Sequence, residues 1–385
     1  MAIASVLMTL PERLLIYGVS ALAAASLTPT GAKSQSAALD WNRIARVVVE
    51  RISPEGGERV LLVGVPGSAD ELVISLRAAI KSAGATDLGF VAATEPATAH
   101  DLSKVDVGVM LPGAAPMHSI YSALQRVLAT STQSHLRTIH FHWAGAYSMA
   151  GALIDVTPER AALYQRALVQ TDYAALAANQ RTFDRAMRGN EVRVTTPAGT
   201  DLRFMIGDRP VTRQDGDASA ARARQGRNLI DREIELPAGA IRVAPIEESV
   251  AGTIVFPPSV WGGERVEGLV LRFERGQVIS IEARSGQAAV ERELQSAGAA
   301  GRAFREFALG FNPLLAIPTS GEPWIPYYGY GAGVVRLSLG DNTELGGNVS
   351  GGYVRWNFFT DATVSVGREV WVRDGKLLKG QNTQP

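Results

Sequence analysis

The sequence predicts two domains: an α/β domain with a doubly wound parallel sheet, then an α+β domain with a largely antiparallel sheet. Two observations predict this order. Up to about residue 182, apolar runs bounded by turn residues alternate with stretches of helical periodicity. After residue 190, β-branched and polar residues alternate around Pro- and Gly-containing turns, as in half-exposed antiparallel strands. With 385 residues, the chain is long enough for two hydrophobic cores.

Residues 1–37 form the first predicted segment, a leader. Arg13 precedes an apolar run from Leu14 to Leu27, and a polar stretch follows. The run is too short to span a bilayer and has the length of a signal-peptide core. We therefore expect a periplasmic or secreted protein without stable membrane insertion. A disordered leader or an N-terminal helix on a cytoplasmic protein is the alternative.

The α/β domain is predicted over residues 38–182. Asp40 is placed to cap a first helix, and further helices are predicted at 70–82, 119–131 and 158–187. Continuous apolar runs predict buried strands at 59–65, 87–93, 105–111 and 137–143. The turn after the first strand reads GVPGSAD. It lacks the spaced glycines of a dinucleotide-binding loop, so the sequence does not support nucleotide binding.

The α+β domain is predicted over residues 183–385. It opens with a hairpin around the Pro-Ala-Gly turn of EVRVTTPAGTDLRFMI, whose Thr200 and Asp201 suit turn chemistry. Strands are predicted at 241–243, 252–256, 268–274 and 278–283, one helix around 289–307, and three strands towards the C-terminus.

Composition narrows the function classes. Basic and acidic residues number 38 each, so no bulk charge draws the chain to nucleic acid. The absence of cysteine excludes disulfides, thiolate nucleophiles and cysteine-based zinc sites.

Five segments of the second half carry a family resemblance. They read VRVTTPAGTDLRF, LPAGAIRV, REFALGFNP, GVVRLSLGDNTELGGNVS and VRWNFFTDATVSV. With RVLLVGVPGSADELVISLRAAIKSAGA before them, they make the chain resemble the aminopeptidase T family from about Leu39 to Leu378. The resemblance implies a homodimeric aminopeptidase whose C-terminal domain carries two divalent metals.

The metal-ligand positions of that family are changed in this chain. They fall, in order, on Ala240, Glu306, Tyr328 with Gly329, Arg336, Arg355 and Asn357. Only Glu306 matches the family pattern. Arginine has no acceptor atom and stays charged, so it cannot replace a histidine ligand. All five histidines lie between His100 and His142, outside the C-terminal half. We therefore expect no metal and no other cofactor.

The substitutions predict a different site. The resemblance implies that Arg336 and Arg355 lie on the floor of a cleft in the C-terminal domain, and guanidinium groups there would bind carboxylates bidentately. Glu306, Tyr328 and Asn357 complete the predicted substrate-binding set, near an aromatic wall. The predicted function is metal-independent binding of a peptide or small carboxylate, without peptidase activity. Three alternatives are a salt-bridge network that only fills the vacated site, a hydrolase with rearranged ligands, and a metal-free enzyme for a small anion.

Other motifs are weaker. His140 and His142 share a face of one predicted strand and suit a metal site with His118 or Asp155, although packing roles are commoner. Ser148 lacks the nucleophile-elbow pattern. The adjacent acids Glu247 and Glu248 would point to opposite faces of a predicted strand, so they could not act as a joint acid and base.

Overall fold

The computed structural model describes residues 39–115, 117–130, 135–141, 143 and 145–379. The predicted leader, residues 1–37, lies outside the described residues. Among the described helices, none has both the length and the apolar character that a membrane span requires.

The helices and strands are numbered in chain order. The described helices are α1 Trp41–Ile52, α2 Asp70–Ser82, α3 Ser119–Thr130, α4 Pro158–Gln170, α5 Tyr173–Met187, α6 Ala220–Ala223, α7 Gln287–Ser296 and α8 Gly298–Gly301. The strands are β1 Arg59–Gly64, β2 Thr86–Ala92, β3 Val107–Met110, β4 Arg137–His140, β5 Ala146–Ser148, β6 Leu153–Ile154, β7 Val192–Thr195, β8 Asp201–Phe204, β9 Thr212–Arg213, β10 Glu233–Glu235, β11 Ala240–Val243, β12 Ala251–Val255, β13 Ser259–Trp261, β14 Glu264–Val266, β15 Val270–Glu274, β16 Gln277–Glu282, β17 Phe304–Gly310, β18 Trp324–Ile325, β19 Val335–Gly340, β20 Val354–Phe359, β21 Thr363–Val366, β22 Glu369–Arg373 and β23 Lys376–Leu377.

A parallel sheet with helices on both faces forms the first half. Its strand order is β10-β4-β3-β1-β2, and every pairing is parallel. Val60 and Leu62 of β1 belong to the core cluster that includes α1 and α2, whereas Leu61 and Val63 belong to the cluster that includes α3. Because successive strand residues face opposite sides, a continuous apolar run is what this sheet requires. The mixed α/β character predicted from the sequence is confirmed.

The edge strand β10 comes from beyond the predicted boundary at residue 182. It pairs with β4 in register, with Glu235 opposite His140. Buried Arg137 of β4 also donates to the carbonyl of Ala218, far along the chain. The boundary at residue 182 stays a prediction, but the parallel sheet itself is completed by the chain that follows it.

Antiparallel sheets dominate the second half, as the sequence predicts. One has the order β20-β19-β17-β11-β9, and the larger one has the order β16-β15-β12-β8-β7-β21-β22-β23. Their apolar faces contribute to one continuous core cluster with part of the parallel sheet. The five-stranded antiparallel sheet positions the candidate site, because the face opposite its apolar face carries charged side chains.

Several predicted elements differ from the structure. The helix expected around 289–307 ends earlier, and Glu306 lies in β17, whose seven residues are all buried. The helix expected over 158–187 is divided into α4 and α5, because Asp172 caps the second helix. Glu247 and Glu248 lie in a short 3-10 turn rather than on a strand. Glu247 accepts hydrogen bonds from the backbone N–H of Asn348 and from Asn342.

Candidate functional site

A cluster of buried polar side chains, here called the chamber, lies where the carboxyl ends of β4 and β10 meet the charged face of the five-stranded antiparallel sheet. We define this chamber by residues from three places. They are His140, Glu233 and Glu235 of the parallel sheet, Arg242, Glu306 and Arg336 of the antiparallel sheet, and Tyr327, Tyr328 and Tyr330 of the turn before β19. Charged groups facing one another in a region of low dielectric interact strongly.

Glu306 is the most buried acid of the chamber and is fully engaged. Its Oε2 accepts from Arg242 Nε at 3.0 Å, and its Oε1 accepts from Arg336 Nε at 3.0 Å and from the Ser338 hydroxyl at 3.1 Å. Burial opposes its ionisation, but the charges of Arg242 and Arg336 outweigh burial and hold the pKa of Glu306 far below its usual value. The carboxylate is therefore ionised and committed to arginines.

Arg336 lies on the same face of the antiparallel sheet as Glu306, and one of its guanidinium nitrogens makes no hydrogen bond to a described residue. Its Nη1 donates to the carbonyl of Tyr328 at 3.0 Å, and its guanidinium lies 4.7 Å from the ring centre of Trp356. Its buried Nη2 lies 3.0 Å from Glu306 Oε1, outside hydrogen-bond geometry, and makes no hydrogen bond to any described residue. A buried donor without a partner costs about 1–3 kcal/mol and calls for an explanation.

The charges around Glu306 do not balance. Arg242, Arg305 and Arg336 are buried, and Arg305 also has a buried Nε without a described hydrogen-bond partner. Their carboxylate partners are Glu306 and Glu344, which pairs with Arg242 at 3.3 Å and with Arg305. Three guanidinium groups thus share two carboxylates in this part of the chamber.

Arg355 and Asn357 do not belong to the chamber, and the expectation that Arg355 shares one cleft floor with Arg336 is wrong. In the pairing of β19 with β20, Arg336 lies opposite Phe358 and Arg355 lies opposite Leu339. Because paired residues share a face and neighbours alternate, the two arginines point to opposite faces of the sheet.

On its own face of the sheet, Arg355 is held in place by hydrogen bonds and by stacking on a ring. It donates to Glu293 at 2.9 Å, to the Val260 carbonyl at 2.8 Å and to Asn357 at 3.3 Å, and it lies 3.4 Å from the ring centre of Trp261. The Asn357 amide in turn donates to the Leu337 carbonyl. These contacts join β20 to α7 and to the β13–β14 hairpin.

Tyr328 is in the chamber, in a turn with unusual backbone geometry. Tyr327 and Tyr328 both have positive φ, at 36° and 55°, a conformation that non-glycine residues rarely adopt. The Tyr328 N–H donates to the Gly145 carbonyl at 2.9 Å, and its ring packs 5.5 Å from that of Trp356. Such backbone strain clusters at functional sites.

The acids of β10 were missed by the sequence analysis. Glu233 and Glu235 face the side of the sheet that α3 covers, where Gln125 donates to Glu233 at 3.3 Å. Burial raises the pKa of Glu233 to about 8 and that of Glu235 to about 7. The sequence EIELP gave no signal for this site, because the pairing of β10 with β4 joins residues about a hundred positions apart.

The sequence does contain a signal that Arg242 belongs to the site, although Arg242 is not among the residues predicted above. Ala240 and Arg242 lie two residues apart on one strand, so a family ligand position at Ala240 places Arg242 on the same face.

The weaker motifs find local roles. The Nδ1 of His140 lies 2.7 Å from the Tyr121 hydroxyl and its Nε2 lies 3.1 Å from the Thr138 hydroxyl. His142, its predicted partner, lies outside the described residues. The Ser148 hydroxyl accepts from the backbone N–H of Ala152 at 3.2 Å. Across the part of the chain that the structure describes, no group of three or more His, Asp or Glu side chains is arranged to hold a metal ion.

Comparison with known proteins addresses the family. Residues 170–319 match the family described as thermophilic metalloprotease (M29). This match spans less than half of the chain, and it supports the resemblance to the aminopeptidase T family. Wild-type AmpT from Thermus thermophilus has a similar fold, with a TM-score of 0.57 and 16% identity over 88% of this chain and 98% of that one.

A second solved structure of similar fold belongs to an enzyme with a different activity. It is 2,5-dihydroxypyridine dioxygenase from Pseudomonas putida KT2440, with a TM-score of 0.62 and 15% identity over 89% of this chain and 98% of that one. No curated protein sequence matches the chain significantly. The fold by itself therefore leaves the chemistry open.

The two-metal site implied by the family resemblance does not fit the residues of the chamber. Glu306, which keeps its ligand type, has its oxygens occupied by Arg242, Arg336 and Ser338. A guanidinium at position 336 repels a dication at the place where a histidine would bind one.

Proposed function

We propose that this aminopeptidase T-like protein binds a small carboxylate, or the carboxylate of a peptide, in the chamber without a metal and without peptidase activity. The observation that carries the proposal is the buried Nη2 of Arg336, which lacks a hydrogen-bond partner among the described residues. A carboxylate oxygen is the acceptor that a guanidinium N–H binds most strongly.

The surroundings of Arg336 support the same ligand class. While Glu233 and Glu235 are protonated, the guanidinium groups exceed the carboxylates of Glu306 and Glu344 by one, which favours an added negative charge. The rings of Tyr328 and Trp356 supply apolar contact beside that charge.

Two arginines of the same sheet allow a matched test. Arg336 and Arg355 lie on neighbouring strands, each against a tryptophan and a glutamate, but on opposite faces. We expect Arg336→Lys to weaken carboxylate binding about ten- to a hundredfold, because a charge-assisted hydrogen bond contributes about 1.5–3 kcal/mol. Arg355→Lys should leave binding unchanged.

The measurement is calorimetric titration with acetate, pyruvate, benzoate and short peptides, together with melting curves and metal analysis of the purified protein. In one outcome, the wild type binds none of these ligands while Arg336→Lys has a much lower melting temperature. That result would leave only the structural salt-bridge role for Arg336. Stoichiometric metal with peptidase activity would instead support the hydrolase with rearranged ligands.

Assembly and location are further proposals. We propose a homodimer, on the family resemblance, and export, on the apolar run before Leu27. Light scattering that gives a monomer mass would contradict the first. Recovery of intact Met1 from the cytoplasm would contradict the second.

A further inference from the structure

The hydroxyl group of Tyr327 has more acceptors than protons. Its oxygen lies 2.8 Å from the carbonyl of Leu236, 3.1 Å from the carbonyl of His140 and 3.1 Å from Oε2 of Glu235. A tyrosine hydroxyl has one proton, and carbonyl oxygens can only accept. If Tyr327 donates to the nearer carbonyl, its contact with Glu235 becomes a hydrogen bond when the Glu235 carboxyl is protonated and donates to the tyrosine oxygen.

Glu235 is also placed to exchange that proton with a ligand. Its side chain is 16% exposed and lies 3.9 Å from Nδ1 of His140. Arg242, Arg336 and Glu344 act on it electrostatically from the facing elements, and Glu233 lies two residues away on the same face of β10. Burial raises the pKa of Glu235 to about 7, against the effect of Arg242, so both protonation states are accessible near neutral pH.

We propose that the chamber catalyses a metal-free proton transfer on a small oxo acid, with Glu235 as the acid–base group and Arg336 as the carboxylate anchor. The inference rests on the proposed function, because Arg336 must bind the carboxylate. It goes further in naming the ligand class: a carboxylate that carries a ketone one or two carbons away. The ketone oxygen then faces the positive charges of the chamber, which favour an oxyanion.

The reaction balances without a co-reactant. The Glu235 carboxylate removes a proton from the carbon next to the ketone, and the C–H electron pair forms a C=C bond. The electrons of the C=O π bond move to the oxygen, which gives the enolate. Return of the proton from Glu235 to the carbon or to the oxygen regenerates the keto form or yields the enol.

Solvent exchange measures this step directly. The full chain, treated with a chelator, is incubated in D2O with pyruvate, 2-oxobutanoate or 3-oxobutanoate, and loss of the C–H signal next to the ketone is followed by proton NMR. We expect at least one acid to exchange about a hundredfold faster than without protein, the lower range for a positioned acid–base group. The rate should rise as the pH passes through about 7, because the carboxylate form is the base.

Two glutamate variants separate catalysis from structure. Glu235→Gln should abolish the accelerated exchange while the acid still binds by calorimetry, because the amide keeps the shape but cannot take a proton. Glu274→Gln, which changes an exposed glutamate of β15 outside the chamber, should keep both binding and exchange. Binding of the oxo acids without exchange overturns the inference and leaves the proposed function intact. Exchange that persists in Glu235→Gln overturns the assignment to Glu235, and absence of both binding and exchange overturns both proposals.

Discussion

At the scale of single residues, what decides the role of each arginine is the face of the sheet on which it lies. The family resemblance places Arg336 and Arg355 at two expected histidine positions, and the sequence does not distinguish between them. The structure gives Arg336 a place in the chamber, with an Nη2 that is ion-paired to Glu306 but makes no hydrogen bond to a described residue, whereas each guanidinium nitrogen of Arg355 has a described hydrogen-bond partner. The same residue type therefore suits ligand binding in one position and packing in the other.

Arg355→Ala should destabilise the protein without affecting ligand binding. The change removes a hydrogen bond to Glu293 and the stacking on Trp261, which together contribute about 1–3 kcal/mol at a half-buried site. Urea unfolding gives the free energy of unfolding, and titration gives the affinity. A loss of carboxylate affinity in this variant would contradict its placement outside the chamber.

The ionisation of Glu235 predicts how stability depends on pH. Its pKa is raised from 4.5 to about 7 on folding, so its contribution is fully present below about 4.5 and is lost as the pH rises through 7. Glu235→Gln should match the wild type at about pH 4 and exceed its stability at about pH 9 by roughly 3 kcal/mol. Thermal melts across this range test the difference.

A matched control for that experiment is Glu274→Gln, which changes an exposed glutamate of β15. Its melting temperature should follow that of the wild type at every pH. A parallel pH response of both variants would mean that Glu235 is not the titrating group.

At the scale of elements, short turns determine where the side chains and carbonyl groups of the chamber lie. The 3-10 turn at Tyr327–Gly329 presents the Tyr328 carbonyl to Arg336, and the chain before β5 fixes that turn through Gly145. Gly145 has φ of 80°, and a Cβ atom there would lie 2.5 Å from the Tyr328 ring. Glycine is thus required both by the backbone conformation and by the approach of the ring.

Gly145→Ala should therefore impair both stability and binding. Gly151→Ala is its matched control, since Gly151 has φ of 79° and open space around the added Cβ. Both variants should lose about 1 kcal/mol to the left-handed backbone, and Gly145→Ala should lose a further 1–3 kcal/mol, roughly, to the clash. Equal melting temperatures and equal affinities for the two variants would contradict this account of the turn.

At the scale of the whole molecule, the second half of the chain completes the parallel sheet of the first half, and the two halves share a core. Strand β10 lies at the edge of the parallel sheet, the Ala218 carbonyl accepts from Arg137, and one core cluster runs through both halves. The chamber lies between the two sheets and takes residues from both.

A fragment of residues 39–182 should consequently fail to fold on its own. It lacks β10 and exposes the buried polar side of β4. Circular dichroism should show no cooperative thermal transition for the fragment, in contrast to residues 39–379. A sharp transition near that of the longer chain would establish residues 39–182 as an independent domain.

The sequence by itself determined the elements whose signals are local. Apolar runs of strand length predicted β1 to β4, the Asp40 cap predicted α1, and the Thr-Pro-Ala-Gly turn predicted the hairpin of β7 and β8. The inability of arginine to act as a metal ligand also follows from sequence alone, because the side-chain chemistry of arginine does not depend on the fold.

Only the tertiary structure decided which of those residues meet. The separation of Arg336 from Arg355 depends on strand register, in which a shift by one residue reverses the face. The position of Glu235 beside His140 and Tyr327 depends on pairings between distant segments, which no local pattern encodes. Its raised pKa arises from burial among those partners, and burial is a property of the assembled molecule.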